Sequence, residues 1–549
     1  MKIFILGVIL ALQFIAGSSN SNVQEVFKWK KVDLEHVSLL GDEVFHFNLS
    51  KWTNRAVEIK MKIILVGFCV LMLQFAAGNS NSFVEEVFKW KKVDYENFPG
   101  TENSFVGPYK YSIPENEHML SMGYHPASGL MIVTFLRTRP GVPITLGAFC
   151  ANEYSLQSSP KIWKFPNPYV NDLKAADFEY FTDIEGRTHT NPVSKNPYNQ
   201  WENSFYNRFQ KNQFYPFGQF PFQRDVVGSG NERPINIQRI VSVFHVTVDE
   251  RCNRVFFVDN GQLTYNRNET YAVQKPALVV VGLPANGCHI RNFPVLRRVE
   301  FPDHITAKGS DGFAHITLDY QPGDSCDDLY LYIANIFYHY LTVYDYKRND
   351  FWTFEHETFL PITAESFFVF DKTFNYQLNM GIASVALGYP DDNGDKTAFY
   401  NTVAGTGQYA VSTKVLKDKS KSDVYYNPND FEIMGYRGCN RQIVKSVVDY
   451  TTGVMFYSEL QSNQIRCWNI SKPLNPDNIG VVYDSEDYKS GVQIFVDSLG
   501  YLWFHTTYVP FVYSSDTPLN LNEVTYKIYR VKVLDAIRGT ICGEGLQIE

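Results

Sequence analysis

A pattern of two adjacent apolar segments separated by a polar turn recurs six times along the chain. In each copy an alternating apolar run reaches Asp, His or Gly, turns through polar residues, and resumes as a run of aliphatic and aromatic residues. Alternation with a period of two, followed by a short turn, is typical of a β-hairpin. The six predicted hairpins begin at or near Met122, Val243, Ile316, Val385, Val447 and Phe495.

The spacing of these hairpins predicts the architecture. After the first interval, successive copies begin about 50 to 70 residues apart, which is the length of one four-stranded antiparallel sheet with its loops. The 549 residues are 44% hydrophobic and 15% aromatic, enough for a large core. The sequence therefore predicts an all-β fold, a six-bladed β-propeller over residues 83–549, in which each sheet buries its apolar face against the next.

One segment interrupts the pattern at about residues 165–234 and is rich in Asn, Gln, Phe and Tyr. This composition leaves two interpretations open. The segment is either a self-associating surface, because aromatic and amide side chains make adaptable contacts, or a long surface insertion with no specific role, which we prefer.

Two stretches near the N-terminus have the layout of a secretory signal peptide. Residues 1–17 and 61–78 each combine a lysine, an apolar core and small residues at the end, and EVFKWKKVD follows both. We interpret residues 1–60 as a duplicated leader, from an exon duplication or a gene-model artefact, and residues 61–78 as the signal peptide of a secreted, extracellular protein. The second apolar run is too short for a membrane anchor, since a span needs about 20 residues.

Composition also restricts the partners. The formal net charge of −8 is spread along the chain without a basic stripe, which argues against a nucleic acid partner. No local signature of a hydrolase or a nucleotide-binding enzyme is present, and neither a cofactor nor a metal is predicted. The acidic run at residues 391–395 fits a turn better than a calcium loop, because Gly394 occupies the wrong position for one.

The cysteines and sequons fit a secreted protein. Of the eight cysteines, Cys69 lies in the signal peptide, so an odd number remains for an oxidising compartment. At least one stays unpaired and offers a second route to self-association. Asn268 and Asn469 are predicted glycosylation sites.

His245 is the candidate acid or base among the twelve histidines. It follows Phe244 in the first strand of the second predicted hairpin. Such strands line the channel of a propeller, where an imidazole can meet a ligand.

Several separated motifs resemble those of the yellow and major royal jelly protein family of insects. They are KWKKVDYENF from Lys89, CNRVFFVDNG from Cys252, CDDLYLYIAN from Cys326, GQYAVSTKVLKD from Gly407, QIRCWN from Gln464 and VDSLGYLWFHTTYVPFVYSSD from Val496. The resemblance covers residues 89–542 apart from the insertion, and it implies a six-bladed propeller. It also implies the disulfides Cys252–Cys326 and Cys467–Cys542. It leaves three cysteines unassigned, which are Cys150, Cys288 and Cys439.

The resemblance implies a ligand pocket as well. Salivary relatives bind biogenic amines in an aromatic clamp, whose positions here are Phe244, Ala383, Val492, Thr507 and Val509. Loss of most of that clamp should cost several kcal/mol of amine affinity. High-affinity amine binding is therefore not expected, while an apolar or aromatic ligand still fits.

Three hypotheses for function follow, because fold membership does not settle activity. The leading one is a secreted, non-catalytic protein of cuticle, eggshell or a secretion, in melanin-related biology, with a small aromatic ligand at the propeller axis. The second is an isomerase that converts dopachrome through His245. The third is an extracellular scavenger of small aromatic molecules or biogenic amines.

Overall fold

The computed structural model describes most of the second of two compact units, Gln74–Glu549; the first unit, Met1–Leu73, lies outside the described residues. The described ranges are 83–96, 104–154, 159–168, 170–183, 185–190, 239–265, 269–323, 325–370, 374–422, 428–489, 491–507 and 518–546. The predicted leader and signal peptide and most of the predicted insertion therefore fall outside them.

The described chain is all-β and is dominated by antiparallel sheets. Six sheets share one plan, in which strands pair side by side in chain order, and we number them 1 to 6. Sheet 1 contains His118–His125, Leu130–Leu136, Leu146–Cys150 and Lys161–Lys164. Sheet 2 contains Val243–Asp249, Arg254–Asp259, Ala277–Gly282 and Val295–Glu300. Sheet 3 contains Phe313–Tyr320, Leu329–Asn335, Tyr340–Asp345 and Asp350–Glu355. Sheet 4 contains Ile382–Pro390, Lys396–Thr402, Gly407–Ser412 and Phe431–Tyr436. Sheet 5 contains Ile443–Asp449, Val454–Glu459, Gln464–Asn469 and Ile479–Asp484. Sheet 6 contains Ile494–Val496, Tyr501–His505 and Tyr526–Lys532.

All six predicted hairpins are confirmed. Each forms the first two strands of one of the six sheets, and the two strands pair antiparallel. The left-handed backbone of these turns falls where the sequence has Gly or Asn, for example at Gly129 in sheet 1 and Asn253 in sheet 2. Residues of these types adopt a positive φ at little cost.

The N-terminal segment joins sheet 6 to sheet 1. Glu85–Trp90 pairs antiparallel with Tyr526–Lys532 and becomes the fourth strand of sheet 6. A few residues later Asp94–Tyr95 pairs in parallel with Lys161–Lys164 of sheet 1. Trp90 is 2% exposed, and its indole Nε1 donates to the carbonyl of Pro160 at 3.0 Å. The start of the described chain thus completes a sheet made by its end.

Smaller elements lie outside the six sheets. An accessory sheet contains Thr188–Thr190, Tyr180–Thr182, Glu269–Ala272 and Gln262–Tyr265, and two hairpins pair Phe105–Val106 with Tyr109–Lys110 and Phe367–Phe370 with Phe374–Gln377. In the described part of the chain the α-helices are Asp303–Thr306, Thr413–Lys417 and Val533–Ile537. Short 3-10 helices cover Pro114–Asn116, Ala151–Glu153, Ala175–Phe178, Glu357–Phe359, Thr363–Glu365, Lys419–Lys421, Pro428–Asp430 and Pro476–Asn478. Within the described ranges no helix has the length and apolar character needed to cross a bilayer.

Three disulfides cross-link the described chain. Two of them, Cys252–Cys326 and Cys467–Cys542, are those that the resemblance implies. The third joins Cys150 to Cys288, two of the unassigned cysteines. The remaining cysteine, Cys439, is free and exposed.

We expect Trp90→Ala to lower the free energy of unfolding by about 3–5 kcal/mol, because it empties a buried site of aromatic size and removes the bond that ties the N-terminal segment to residue 160. Urea denaturation followed by tryptophan fluorescence measures the change. The neighbouring exposed residue provides the control, since Lys91→Ala should change stability by less than about 0.5 kcal/mol. Equal stability of the two variants would contradict the assigned role of Trp90.

Candidate functional site

The first strands of sheets 1 to 5 share a β-bulge at the same point. The shifts in pairing register lie between Met119 and Ser121, Val243 and Val246, Phe313 and Ile316, Ile382 and Ser384, and Ile443 and Ser446. A bulge adds a residue to one strand and re-aims the side chains beside it. Two consecutive side chains can therefore contribute to the same part of the interior. In a regular strand, consecutive side chains point to opposite faces of the sheet.

Six apolar residues, one at the start of each sheet, meet in a single cluster that we name the apolar layer. They are Leu120, Phe244, Ala314, Ala383, Val444 and Val492. Three of the residues predicted to line the ligand pocket are thus brought together: Phe244, Ala383 and Val492 are 9%, 0% and 6% exposed. Val444 is only partly buried, so the layer keeps some contact with solvent on the sheet 5 side.

A covering hairpin, formed by strands Phe367–Phe370 and Phe374–Gln377, packs on the apolar layer. Its Phe368 and Phe370 side chains belong to the same cluster as the layer. On its other side, the backbone N–H of Val369 donates to Gln461 Oε1 at 2.8 Å. Much of the apolar layer is therefore already covered by the chain itself.

The residue that follows each member of the apolar layer is polar, and these residues form a second set that we name the polar layer. It consists of Ser121, His245, His315, Ser384, Lys445 and Gln493. The rings of His245 and His315 stack with their centroids 3.6 Å apart. His315 Nδ1 donates to the carbonyl of Ala383 at 3.1 Å, which connects sheet 3 to sheet 4.

Gln493 is the most widely connected member of the polar layer. Its Oε1 accepts a hydrogen bond from Lys445 Nζ at 3.0 Å, and its Nε2 donates to the carbonyls of Met122 at 3.1 Å and Val246 at 3.2 Å. One side chain at the start of sheet 6 thereby contacts sheets 5, 1 and 2. Ser384 links sheet 4 to sheet 5 by donating to the carbonyl of residue 444 at 3.2 Å.

Burial shapes the electrostatics of this layer. Desolvation lowers the pKa of Lys445 to about 7, and desolvation reinforced by the positive charge of Lys445 lowers the pKa of His245 and His315 well below its ordinary value. At neutral pH the two imidazoles are neutral, and the lowered pKa of Lys445 allows it to lose its proton near neutral pH. Among the described residues, His245 Nδ1 has no hydrogen-bond partner.

The other predicted pocket and glycosylation residues have different surroundings. Thr507 is buried, and its Oγ1 donates to the carbonyl of Met119 at 3.1 Å, so this hydroxyl is already used within the fold. Asn469 is also buried, and its Oδ1 accepts from the backbone N–H and the hydroxyl of Ser471, the serine of its own sequon. Val509 and Asn268 lie outside the described residues.

Two groups of residues that include potential metal ligands are explained without a metal ion. In the acidic run, Asp391 Oδ1 accepts from the backbone N–H groups of residues 393 and 395 at 2.8 and 2.9 Å, which is the arrangement of a side-chain-capped turn. Cys150, Glu153 and His289 lie close enough to share an ion. However, Cys150 is bound in a disulfide and offers no thiolate.

His315, Lys445 and Gln493 were missed by the sequence interpretation, although a signal for them exists. When the first strands of sheets 1 to 5 are aligned at their bulges, a polar residue follows the apolar-layer residue in every copy, and Gln493 holds the equivalent position in sheet 6. The residue types differ from copy to copy, so only their shared position carries the signal. A search by residue type cannot detect it.

Comparison with known proteins adds a family match. The family model described as major royal jelly protein matches residues 241–542, more than half of the chain. L-dopachrome tautomerase yellow-f of Drosophila melanogaster is 26% identical over 477 residues, which cover 83% of this chain and 94% of the relative. Yellow-related salivary protein LJM111 of Lutzomyia longipalpis is 32% identical over 314 residues, 56% of this chain and 74% of the relative. A yellow-related salivary protein of Phlebotomus orientalis is 27% identical over 489 residues, 88% and 99% of the two chains.

We expect Gln493→Ala to lower the free energy of unfolding by about 2–4 kcal/mol, because the carbonyls of Met122 and Val246 lose their donor in the interior. Chemical denaturation measures this loss. Asn522→Ala, at an exposed position, is the control and should be neutral within about 0.5 kcal/mol. A Gln493→Ala protein as stable as the control would show that the polar layer does not hold the sheets together.

Proposed function

The chain belongs to the major royal jelly protein family, and we propose that it is an extracellular member that binds a small aromatic molecule at the apolar and polar layers. The observation that carries the proposal is the unpaired, buried Nδ1 of His245, the residue next to Phe244 of the apolar layer. Small-molecule sites are mostly apolar, with a few polar groups that fix the ligand's orientation. A buried nitrogen without a partner costs stability, and a ligand that bonds to it would recover that cost.

Binding of this kind needs no catalysis. We propose that the protein acts in cuticle, eggshell or a secretion, within melanin-related biology, as a binder rather than an enzyme. The buried hydroxyl of Thr507 supports this assignment against a high-affinity amine scavenger, because it is already bonded to a backbone carbonyl. Lys445 supports it too, since a protonated lysine repels a ligand's ammonium group.

The proposal extends to the architecture and the compartment. We propose that the six sheets close into a six-bladed β-propeller. Two observations support closure: Glu85–Trp90 completes the last sheet, and Gln493 of sheet 6 bonds to backbone carbonyls of sheets 1 and 2. Secretion is supported by the three disulfides, which persist in oxidising compartments, and by the signal-like segment at residues 61–78.

We expect Phe244→Ala to weaken the binding of indole, used as a simple aromatic probe, at least tenfold. The indole ring would no longer contact the phenyl ring of Phe244 in the apolar layer. Isothermal titration calorimetry on the secreted full chain measures the affinity. Phe367→Ala is the matched control: it removes a phenyl ring that is 58% exposed, and should leave the affinity unchanged. Absence of indole binding to the unmodified protein would refute the proposal.

A second candidate function is conversion of dopachrome. Tautomerisation takes a proton from a carbon atom and returns one elsewhere in the same molecule, so it needs a base that starts unprotonated. Desolvation lowers the pKa of His245 and keeps its imidazole neutral at pH 7. The relative named L-dopachrome tautomerase favours this candidate. We rank it second because an imidazole whose pKa is strongly lowered is a weak base.

We expect purified protein to leave the decay of dopachrome absorbance at its spontaneous rate. Turnover above that rate, lost in a His245→Gln protein that unfolds at the same denaturant concentration as the unmodified protein, would establish the second candidate instead. His289→Gln serves as the control, because that histidine lies at an exposed position outside both layers. Turnover that survives in His245→Gln would exclude this histidine as the base.

A further inference from the structure

Among the six residues of the polar layer, which all lie in the described part of the chain, the charged and titratable groups are all basic. The polar layer contributes Lys445 from sheet 5, His245 from sheet 2 and His315 from sheet 3. His505 of sheet 6 is a further basic group, and it contributes to lowering the pKa of His245. Sheets 1 and 4 contribute the hydroxyls of Ser121 and Ser384, which do not titrate. In the described part of the chain, no Asp or Glu forms an ion pair with Lys445.

Lys445 is therefore a cation whose only hydrogen bond within the described residues goes to a neutral acceptor, Gln493 Oε1. A charge taken out of water is stable only if it is paired and fully hydrogen-bonded. An ammonium has three donors, and one of them is used here. Two donors and one positive charge remain for a group that the protein does not supply.

The position of Lys445 sets what that group can be attached to. Lys445 directly follows Val444 of the apolar layer, and both residues are partly exposed. Consecutive Cα atoms lie only about 3.8 Å apart. Gln493 also bridges Lys445 Nζ to the carbonyl of Val246, two residues after Phe244. A compact aromatic molecule with its anionic group a few bonds from the ring therefore suits both layers.

We infer that the site selects aromatic molecules that carry a carboxylate, with the carboxylate at Lys445 Nζ and the ring on the apolar layer beside Phe244. This inference rests on the aromatic-binding function proposed above and adds the sign of the ligand's charge. A carboxylate has two oxygens that can accept the free donors of Lys445. An aromatic amine would instead place a second cation among Lys445 and the histidines.

The selection depends on pH. The pKa of Lys445 is lowered to about 7 by desolvation, so its positive charge is present below pH 7 and is lost above it. The neighbouring imidazoles do not add charge in this range, because desolvation keeps the pKa of His505 at about 4 and those of His245 and His315 well below the ordinary value. A carboxylate stays ionised from pH 6 to 8.5, so the fall in affinity with rising pH reports Lys445.

Three probes that share one ring test the inference: indole-3-acetate, indole-3-acetamide and tryptamine, which carry a negative, no and a positive charge. We expect calorimetry on the full secreted chain at pH 6 to give indole-3-acetate an affinity at least tenfold above those of the other two. At pH 8.5 this preference should shrink at least threefold. Lys445→Met should remove the preference and retain binding of the neutral probe, whereas Lys414→Met, at an exposed position, should change neither.

The outcomes separate this inference from the function on which it rests. If no indole probe binds, the aromatic-binding proposal fails. If all three bind with equal affinity, or if the preference persists in Lys445→Met, the aromatic site stands and the inference of carboxylate selection is wrong. Acetate serves as a ring-free probe, and acetate bound as tightly as indole-3-acetate would overturn the aromatic part. If Lys445→Met does not fold, the pH dependence of the preference for indole-3-acetate in the unmodified protein still tests carboxylate selection.

Discussion

Backbone carbonyl groups along the first strands need hydrogen-bond donors, and this requirement holds the centre of the fold together. A bulge interrupts regular pairing, and buried carbonyls are almost always paired in folded proteins. Side chains of the neighbouring sheets supply the donors: Thr134 Oγ1 donates to the carbonyl of Phe244 at 2.7 Å, and Thr317 Oγ1 to that of Val385 at 2.6 Å. Gln493 does the same for two sheets at once. Since a lost partner costs more than the bond itself contributes, these contacts fix where each sheet lies relative to the next.

Buried cations show which polar groups this centre satisfies and which it leaves open. Arg137 is fully buried, and its guanidinium donates to four backbone carbonyls. Arg437 is fully buried too and donates to two carbonyls and to Gln408 Oε1. Both guanidinium groups carry a permanent charge, so the fold must surround them with acceptors. Lys445 has one acceptor and can release its proton. The described chain therefore contains buried cations, Arg137 and Arg437, whose acceptors the fold supplies and one, Lys445, that has a single acceptor among the described residues.

The structural features that could be predicted from the sequence are those that local sequence patterns encode. The alternation and turn residues around Val243 and Val447 specify hairpins without reference to the rest of the chain. The contacts between the sheets are different, because Gln493 donates to the carbonyls of Met122 and Val246, which lie 371 and 247 positions earlier in the chain. Nothing in its own neighbourhood distinguishes it from a surface glutamine. The family resemblance bridged part of this gap: it marked Phe244 and Ala383 as neighbours, and the apolar layer contains both. It did not identify Lys445, because position 445 is not among the pocket positions that the resemblance implies.

The accessory sheet shows the same limit in a region where composition was misleading. Residues around 180 read as irregular insertion, yet Tyr180–Thr182 pairs with Thr188–Thr190 and, through Thr182, with Thr270. The partner hairpin of Glu269–Ala272 lies far along the chain. Pairing of this kind depends on where the six sheets put the two segments, so a local reading cannot anticipate it.

The covering hairpin restricts the routes by which the proposed ligand can reach the apolar layer. Phe368 and Phe370 fill the cluster that contains the apolar layer, while Phe367 and Val369 on the same strand are 58% and 47% exposed. A ligand entering from this side would have to displace buried aromatic rings, at a cost of several kcal/mol. Entry beside Val444 displaces no buried ring, because that residue is already partly exposed. A ligand that takes this route contacts Val444 of the apolar layer, and the next residue, Lys445, supplies the charged group beside it.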